Sequence, residues 1–238
     1  ERHRPNVVAR LKGNGSKRPI LIMAHTDTVN VDPAKWRQGP FSAAREGGWI
    51  YGRGTVDDKD NVAAALMAML TLKRLAVPLD RDVIFLAEAG EEGATEVGIQ
   101  FMVEQHLDAI DAEFCYAEGG RVTRQEGEVR YASVQTMEKI PRAIELRARG
   151  PAGHGSVPLL DNAIVHLSAA VAAVGDWRIP IRLNETTRAY FERLASISPP
   201  EQARPYLDIL HPDPAVKERA DDHFRADEPL HASMIRSS

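Results

Sequence analysis

His25 and Asp27 lie two residues apart, at the end of the apolar run Leu21–Ala24 in LIMAHTDTV. Asp57 and Asp58 are adjacent in GRGTVDDK, Glu91 and Glu92 are adjacent in AGEEG, and Glu118 closes FCYAE just before two glycines. Gathering that many carboxylates around one imidazole is costly unless cations neutralise them. Divalent metals would do so. A mixed imidazole and carboxylate donor set suits zinc, with cobalt or manganese also admissible. Each element alone has a plainer reading. An H-x-D after a strand is commonly a hydrogen-bonded core histidine, and an Asp pair can cap a helix and meet its dipole. A Glu pair in a loop is ordinarily solvated charge, and Glu118 could merely open a turn. Their joint occurrence at the same end of successive elements favours a metal site.

The elements that must position these residues are legible in outline. RPILIMAHTD, after a Gly/Ser/Lys turn, predicts a buried strand delivering His25 to a sheet edge. Asp27 falls on the same side, because strand side chains alternate with period two. RPNVVARLKGNG reads as a strand entering a turn, and GGWIYGRGT as a brief strand between glycines. Val62, Leu66, Met69, Leu70 and Lys73 fall at helical spacing, which predicts a helix from Asp58 to about Leu75, stopped before Pro78. RDVIFLAEA predicts a second buried strand, TEVGIQFMVEQHL an amphipathic helix and AEFCYAEGG a third strand. Such alternation predicts an α/β fold, a mostly parallel sheet flanked by helices, with ligands at the carboxyl ends of its strands.

The texture changes near Pro141, where a domain boundary is expected. RAIELRARG alternates apolar and charged residues and reads as a half-exposed strand. NAIVHLSAAVAAVGDW reads as a helix on its back. After Pro180 the chain is polar and Pro-rich, with helical stretches such as TTRAYFERLA.

Order and wording together resemble the co-catalytic dizinc peptidase and amidohydrolase family of glutamate carboxypeptidase, carboxypeptidase S, aminoacylase and succinyl-diaminopimelate desuccinylase. HTDTV at His25–Val29, GRGTVDDK at Gly52–Lys59, EEG at Glu91–Gly93, EGG at Glu118–Gly120 and GPAGHGSVP at Gly150–Pro158 carry the likeness. The wording is closest to the carboxypeptidase S-like branch. The resemblance implies residues 1–140 as a catalytic, metal-binding domain and 141–238 as an inserted α+β lid and dimerisation domain, both incomplete. It implies His25 and Glu118 as ligands of a first zinc, Asp57 as the carboxylate bridging two zincs, and Glu92 as a ligand of the second. Glu91 matches the general base, Asp27 the carboxylate that orients the ligand histidine, and His154 a substrate-binding histidine that reaches a partner subunit's site in a homodimer. A cis peptide between Asp57 and Asp58 is also implied. The activity implied is hydrolysis of an amide or peptide bond next to a free carboxylate, as in a carboxypeptidase or N-acyl amino acid deacylase. Two zincs per full-length subunit, or Co2+ or Mn2+, would acidify a metal-bridging water, and Glu91 would take its proton and return it to the leaving amine.

The likeness is not complete. The family's further zinc-binding histidine, and the arginine and asparagine that hold substrate carboxylate, should lie beyond Ser238, and Asp60 stands where many members have glycine. The chain opens on Glu1 and closes without a stop signal, so it reads as part of a longer protein. Whether the chain alone binds metal stays open at this point. A non-catalytic binding member of the same fold and a dinuclear metallophosphoesterase are the rival readings.

Composition narrows the remaining classes. The chain has 238 residues, 43% hydrophobic, enough for one or two domains with a real core. A net charge of −4 gives no electrostatic case for nucleic acid or an anionic membrane as partner, and no apolar run approaches the length of a membrane span. The single cysteine, Cys115, demands no oxidising compartment, so a cytoplasmic location is expected, with a lost signal peptide left open. Cys115 is expected as a small buried hydrophobe. Trp36, Trp49 and Trp177 are expected to pack, His166 to sit on the lid helix, and His106, His211, His223 and His231 to be solvated.

Overall fold

In the computed structural model, which describes residues 3–140 and 142–236, the chain divides into two compact units, Glu1–Val134 and Gln135–Ser238. The boundary expected near Pro141 falls on a residue outside the described ones.

In the first unit β1 (Val7–Leu11) and β2 (Ile20–His25) come first, then a hairpin of β3 (Ala44–Glu46) and β4 (Trp49–Tyr51). Helix α1 (Lys59–Arg74), β5 (Val83–Glu88), α2 (Ile99–Gln105), α3 (Leu107–Ile110) and β6 (Phe114–Tyr116) follow. A last hairpin pairs β7 (Arg121–Gln125) with β8 (Glu128–Ser133). The main sheet has the order β1-β5-β2-β6. Strand β2 runs parallel to β5 and β6, and β1 runs antiparallel to β5. The sheet is therefore mostly parallel and flanked by helices, as the alternation predicts.

Strand β5 is buried at every position, as a strand covered on both faces must be. Its alternate residues serve two cores. Val83, Phe85 and Ala87 pack with Ala65 and Met69 of α1. Ile84 and Leu86 pack with Leu21, and with Met102 and Ile110 from α2 and α3. Those two layers fix β2 beside β5, with His25 in register with Glu88 at the strands' carboxyl ends.

The helix expected over TEVGIQFMVEQHL is shorter and interrupted. Gly98 has non-helical backbone (φ −103°, ψ −116°), so α2 begins at Ile99. His106 (φ −141°, ψ 32°) separates α2 from α3 and stacks edge-on against Phe101. Cys115 is exposed rather than buried, because β6 is an edge strand and all its residues are exposed. Trp49 and Trp177 are also exposed, at 70% and 66%, so the packing role expected of them is corrected. Trp36 is half-buried beneath the Arg53 guanidinium, 5.4 Å from its ring centroid.

In the second unit the described residues hold helices only. These are α4 (Ala163–Asp176), α5 (Glu185–Ile197), α6 (Pro200–Asp208), α7 (Pro214–Asp227) and α8 (Pro229–Met234). Residues 142–149 carry the alternation of a half-exposed strand, yet they pair with no strand among the described residues. Alternation specifies a face, not a partner, and an unpaired extended segment remains solvated. The core of this unit joins Phe191 of α5 and Phe224 of α7 with Ile209 and Ile235, which directly follow α6 and α8. His231 is 7% exposed within it, not solvated: Tyr190 and Glu228 bind its two ring nitrogens. His223 is half-buried beside Asp227 and Glu228, whereas His106 and His211 are exposed. No helix among the described residues is long and apolar enough to cross a membrane.

Candidate metal centre

Strand β2 ends with His25 only 1% exposed, and its ring defines the centre. Nε2 lies 2.9 Å from Asp57 Oδ1, 3.6 Å from Glu118 Oε2 and 3.8 Å from Glu91 Oε2. The other ring nitrogen, Nδ1, is 3.2 Å from the Asp27 carbonyl oxygen and 3.5 Å from Asp27 Oδ1. A proton on Nδ1 facing that carbonyl would free the Nε2 lone pair for a cation lying among the carboxylates, the tautomer a metal ligand needs.

The carboxylates arrive from three places. Asp57 and Asp58 precede α1 and are joined by a cis peptide bond. Glu91 and Glu92 lie in the loop between β5 and α2, and Glu118 follows β6. Two sets of ligand atoms lie within 4.8 Å of one another, His25 with Asp57 and Glu92, and His25 with Asp58 and Glu118. Asp58 is the member of the cluster to which sequence reasoning gave no ligand role. It holds the cap position of α1 without capping it. Its carboxylate is wholly buried, accepts the His25 backbone N–H at 3.1 Å and accepts from Asn61. The adjacency in VDDK was the available signal, since neighbouring carboxylates are rarely both needed at a helix start.

Asp27 does more than face His25. Its two oxygens accept the backbone N–H groups of Glu91 and Glu92, each at 3.1 Å. Burial would raise its pKa, but those backbone donors outweigh it and hold the carboxyl below its ordinary value. Glu91 goes the other way, raised by burial and by the neighbouring Glu92, Asp27 and Asp57, with His25 opposing. Glu118 is raised by burial and by Asp58. Burial lowers His25, but the Asp57 hydrogen bond and the charges of Glu91, Glu118 and Asp58 more than restore it, leaving its pKa raised. Lys59 Nζ donates to the Thr26 carbonyl at 2.7 Å and so braces the turn between His25 and Asp27. The donor set, one imidazole facing a surplus of carboxylates, fits divalent cations, zinc among them.

His154 lies in the second unit. Its Nδ1 is 2.8 Å from Ser156 Oγ and accepts the Ser156 backbone N–H at 3.2 Å. His166 is exposed on α4 with Nε2 2.9 Å from Asp161.

A profile of peptidase family M20/M25/M40 matches residues 21–218. Human N-fatty-acyl-amino acid synthase/hydrolase PM20D1 is 29% identical over 230 residues, which cover 94% of this chain and 44% of that protein. A probable succinyl-diaminopimelate desuccinylase of Staphylococcus aureus (strain Mu50) is 33% identical over 166 residues, 68% of this chain and 38% of the relative. Among solved structures, an M20 family metallo-carboxypeptidase from Sulfolobus solfataricus aligns with a TM-score of 0.44 at 33% identity, covering 50% of this chain and 26% of its own. The chain thus spans less than half the length of these relatives.

Proposed function

The chain belongs to peptidase family M20/M25/M40, and from that premise we propose that it supplies metal-binding and general-base residues of a zinc-dependent hydrolase acting on an amide or peptide bond next to a free carboxylate. One observation carries the reading: His25 Nε2 faces Asp57, Glu91 and Glu118 within 3.8 Å. The resemblance supplies the division of roles. On that division His25 and Glu118 would hold one zinc, Glu92 would hold the other, and Asp57 would serve both. When bound, the zincs supply Lewis acidity that polarises a carbonyl and acidifies water.

The chain's own residues do the rest. Glu91, its pKa raised by burial and neighbouring carboxylates, takes a proton from the attacking water and returns it to the leaving amine. Asp27 fixes the backbone on which Glu91 and Glu92 stand, so two adjacent side chains can aim at different targets. His154 contributes to substrate binding from the lid region, residues 141–238, across a homodimer. The names of two relatives support the same bond type: an N-fatty-acyl-amino acid synthase/hydrolase and a probable succinyl-diaminopimelate desuccinylase. A small peptide or an N-acyl amino acid is the substrate class, and a cytoplasmic location is consistent with the single cysteine.

The test is an assay of the zinc-loaded full-length protein on N-acyl amino acids, dipeptides and phosphodiesters. Amide turnover is expected. Phosphodiester turnover alone would instead support a metallophosphoesterase, and binding without turnover a non-catalytic member of the fold.

A further inference from the structure

The loop over residues 89–98 leaves β5, carries Glu91 and Glu92, and returns to α2. Its ends approach closely. A Cβ on Gly98 would stand 2.0 Å from the Ala89 carbonyl oxygen, so no side chain fits there. Inside, Gly90 holds φ +88° while its carbonyl accepts the Ala94 N–H at 2.8 Å, which folds the loop back on itself. Asp27 grips the middle through the Glu91 and Glu92 N–H groups. The Glu88 side chain is buried at the same place, its Oε2 2.8 Å from where a Gly98 Cβ would stand.

One side chain joins the two ends. Asn6 precedes β1 and is remote in sequence from the loop, yet its Oδ1 accepts the Ala89 N–H at 2.9 Å and its Nδ2 donates to the Val97 carbonyl at 2.8 Å. That pairing needs a donor and an acceptor on one short planar group, which among the twenty side chains favours asparagine. Neither Ala89 nor Val97 is a site residue, so the amide touches no reacting atom. What it fixes is the span across which the loop must close, and hence the direction in which two successive side chains leave the backbone.

We propose that Asn6 is a positioning residue for the metal centre. Its amide clamps the ends of the 89–98 loop and thereby sets the aim of Glu91 and Glu92. The proposal rests on the functional reading above, in which Glu92 binds one zinc and Glu91 acts as base. A residue in the N-terminal segment thus tunes one of the two metals more than the other, because His25, Asp57 and Glu118 do not stand on this loop.

Asn6→Asp and Asn6→Ala in the full-length protein test it. Asn6→Asp is isosteric: it keeps the acceptor for Ala89 and replaces the donor to Val97 with a repelling oxygen. Two readouts are taken, zinc affinity by chelator competition and backbone amide exchange. The zinc that is lost in Glu92→Ala is expected to weaken about tenfold or more in both variants, while the other zinc changes by less than about threefold. Exchange over 89–98 rises, and exchange over 83–87 does not. Equal weakening of both zincs overturns the proposal, as does loop exchange like that of the wild type. Loss of protection in 83–87 in both variants also overturns it, since Asn6 would then be a general stability contact. Wild type that takes up no zinc fails the functional reading instead, and the exchange comparison still decides the clamp.

Discussion

On the proposed reading, identical chemistry at Glu91 and Glu92 serves two ends, and the backbone decides which. Neighbouring residues in a regular strand point to opposite faces, but an irregular loop pinned by Asp27 can turn both carboxylates inward at different angles. Glu91→Gln keeps the shape and removes the base. Its kcat is expected to fall by about 10²–10⁴ with zinc content unchanged, and an unchanged kcat would exclude it as the base. His25→Ala and Asp57→Ala are expected to lose zinc outright, measured as metal per chain after gel filtration. Asp27→Asn is a subtler case. The amide offers one acceptor where the loop presents two N–H donors, so its NH2 faces one of them. Zinc affinity is expected to drop by about 10–100-fold, with circular dichroism unchanged. How far this was legible is uneven. That HTDTV, VDDK, EEG and EGG hold residues able to bind metal could be read, because chemistry restricts which side chains can. That Asp27 holds the Glu91–Glu92 backbone could not, because hydrogen bonds between residues so far apart in sequence leave no local pattern.

At the scale of elements, continuity and period were enough where one face or two faces are buried. VIFLAE is apolar almost throughout and is buried on both sides, and α1 ends at Arg74 as its spacing and the following Pro78 require. The reading failed where partners decide. The helix break at His106 has no proline or glycine to announce it, and the edge position that exposes Cys115 is a property of the sheet rather than of FCY. Asp82 shows how a residue between elements ties them. It accepts from Lys12 Nζ at 2.8 Å, the Gly13 N–H at 3.0 Å and Arg10 Nη1 at 3.2 Å, joining β1 and the turn after it to the start of β5. The Lys12 ammonium, the Gly13 amide and the Arg10 guanidinium hold its carboxyl down at about 2, from an ordinary 3.8. A depressed carboxyl stabilises the fold above its unfolded value and loses that contribution as pH falls through the folded one. Asp82→Asn is therefore expected to melt below wild type at pH 7, with the gap closing between about pH 4 and pH 2. A gap in Tm that stays constant across that window would sink the assignment.

For the chain as a whole, charge is abundant and nearly balanced, with 30 Lys and Arg against 34 Asp and Glu. Composition could not reveal which of these charges hold structure, because that depends on burial. The polar, Pro-rich stretch after Pro180 illustrates this. Its prolines at 200, 214 and 229 open α6, α7 and α8 at the first helical position, where a missing N–H costs nothing. The helices they start enclose Asp221, which is 4% exposed, accepts from Arg225 Nε at 3.1 Å and pairs with Arg236. Arg236 also donates to the carbonyls of Ala232 and Ile179, so a single guanidinium ties α7, α8 and the segment before α5. Next door, Asp222 meets Arg178 at 2.7 Å with both side chains more than half exposed. The same pairing should thus differ in weight by its surroundings alone. Asp221→Ala strands a buried guanidinium and is expected to cost about 3–5 kcal/mol, whereas Asp222→Ala should cost less than about 1 kcal/mol. Denaturant unfolding, or amide exchange across residues 185–235, measures both. Equal costs would mean that burial does not govern these charges, and that the contacts of Arg236 with backbone carbonyls suffice without Asp221.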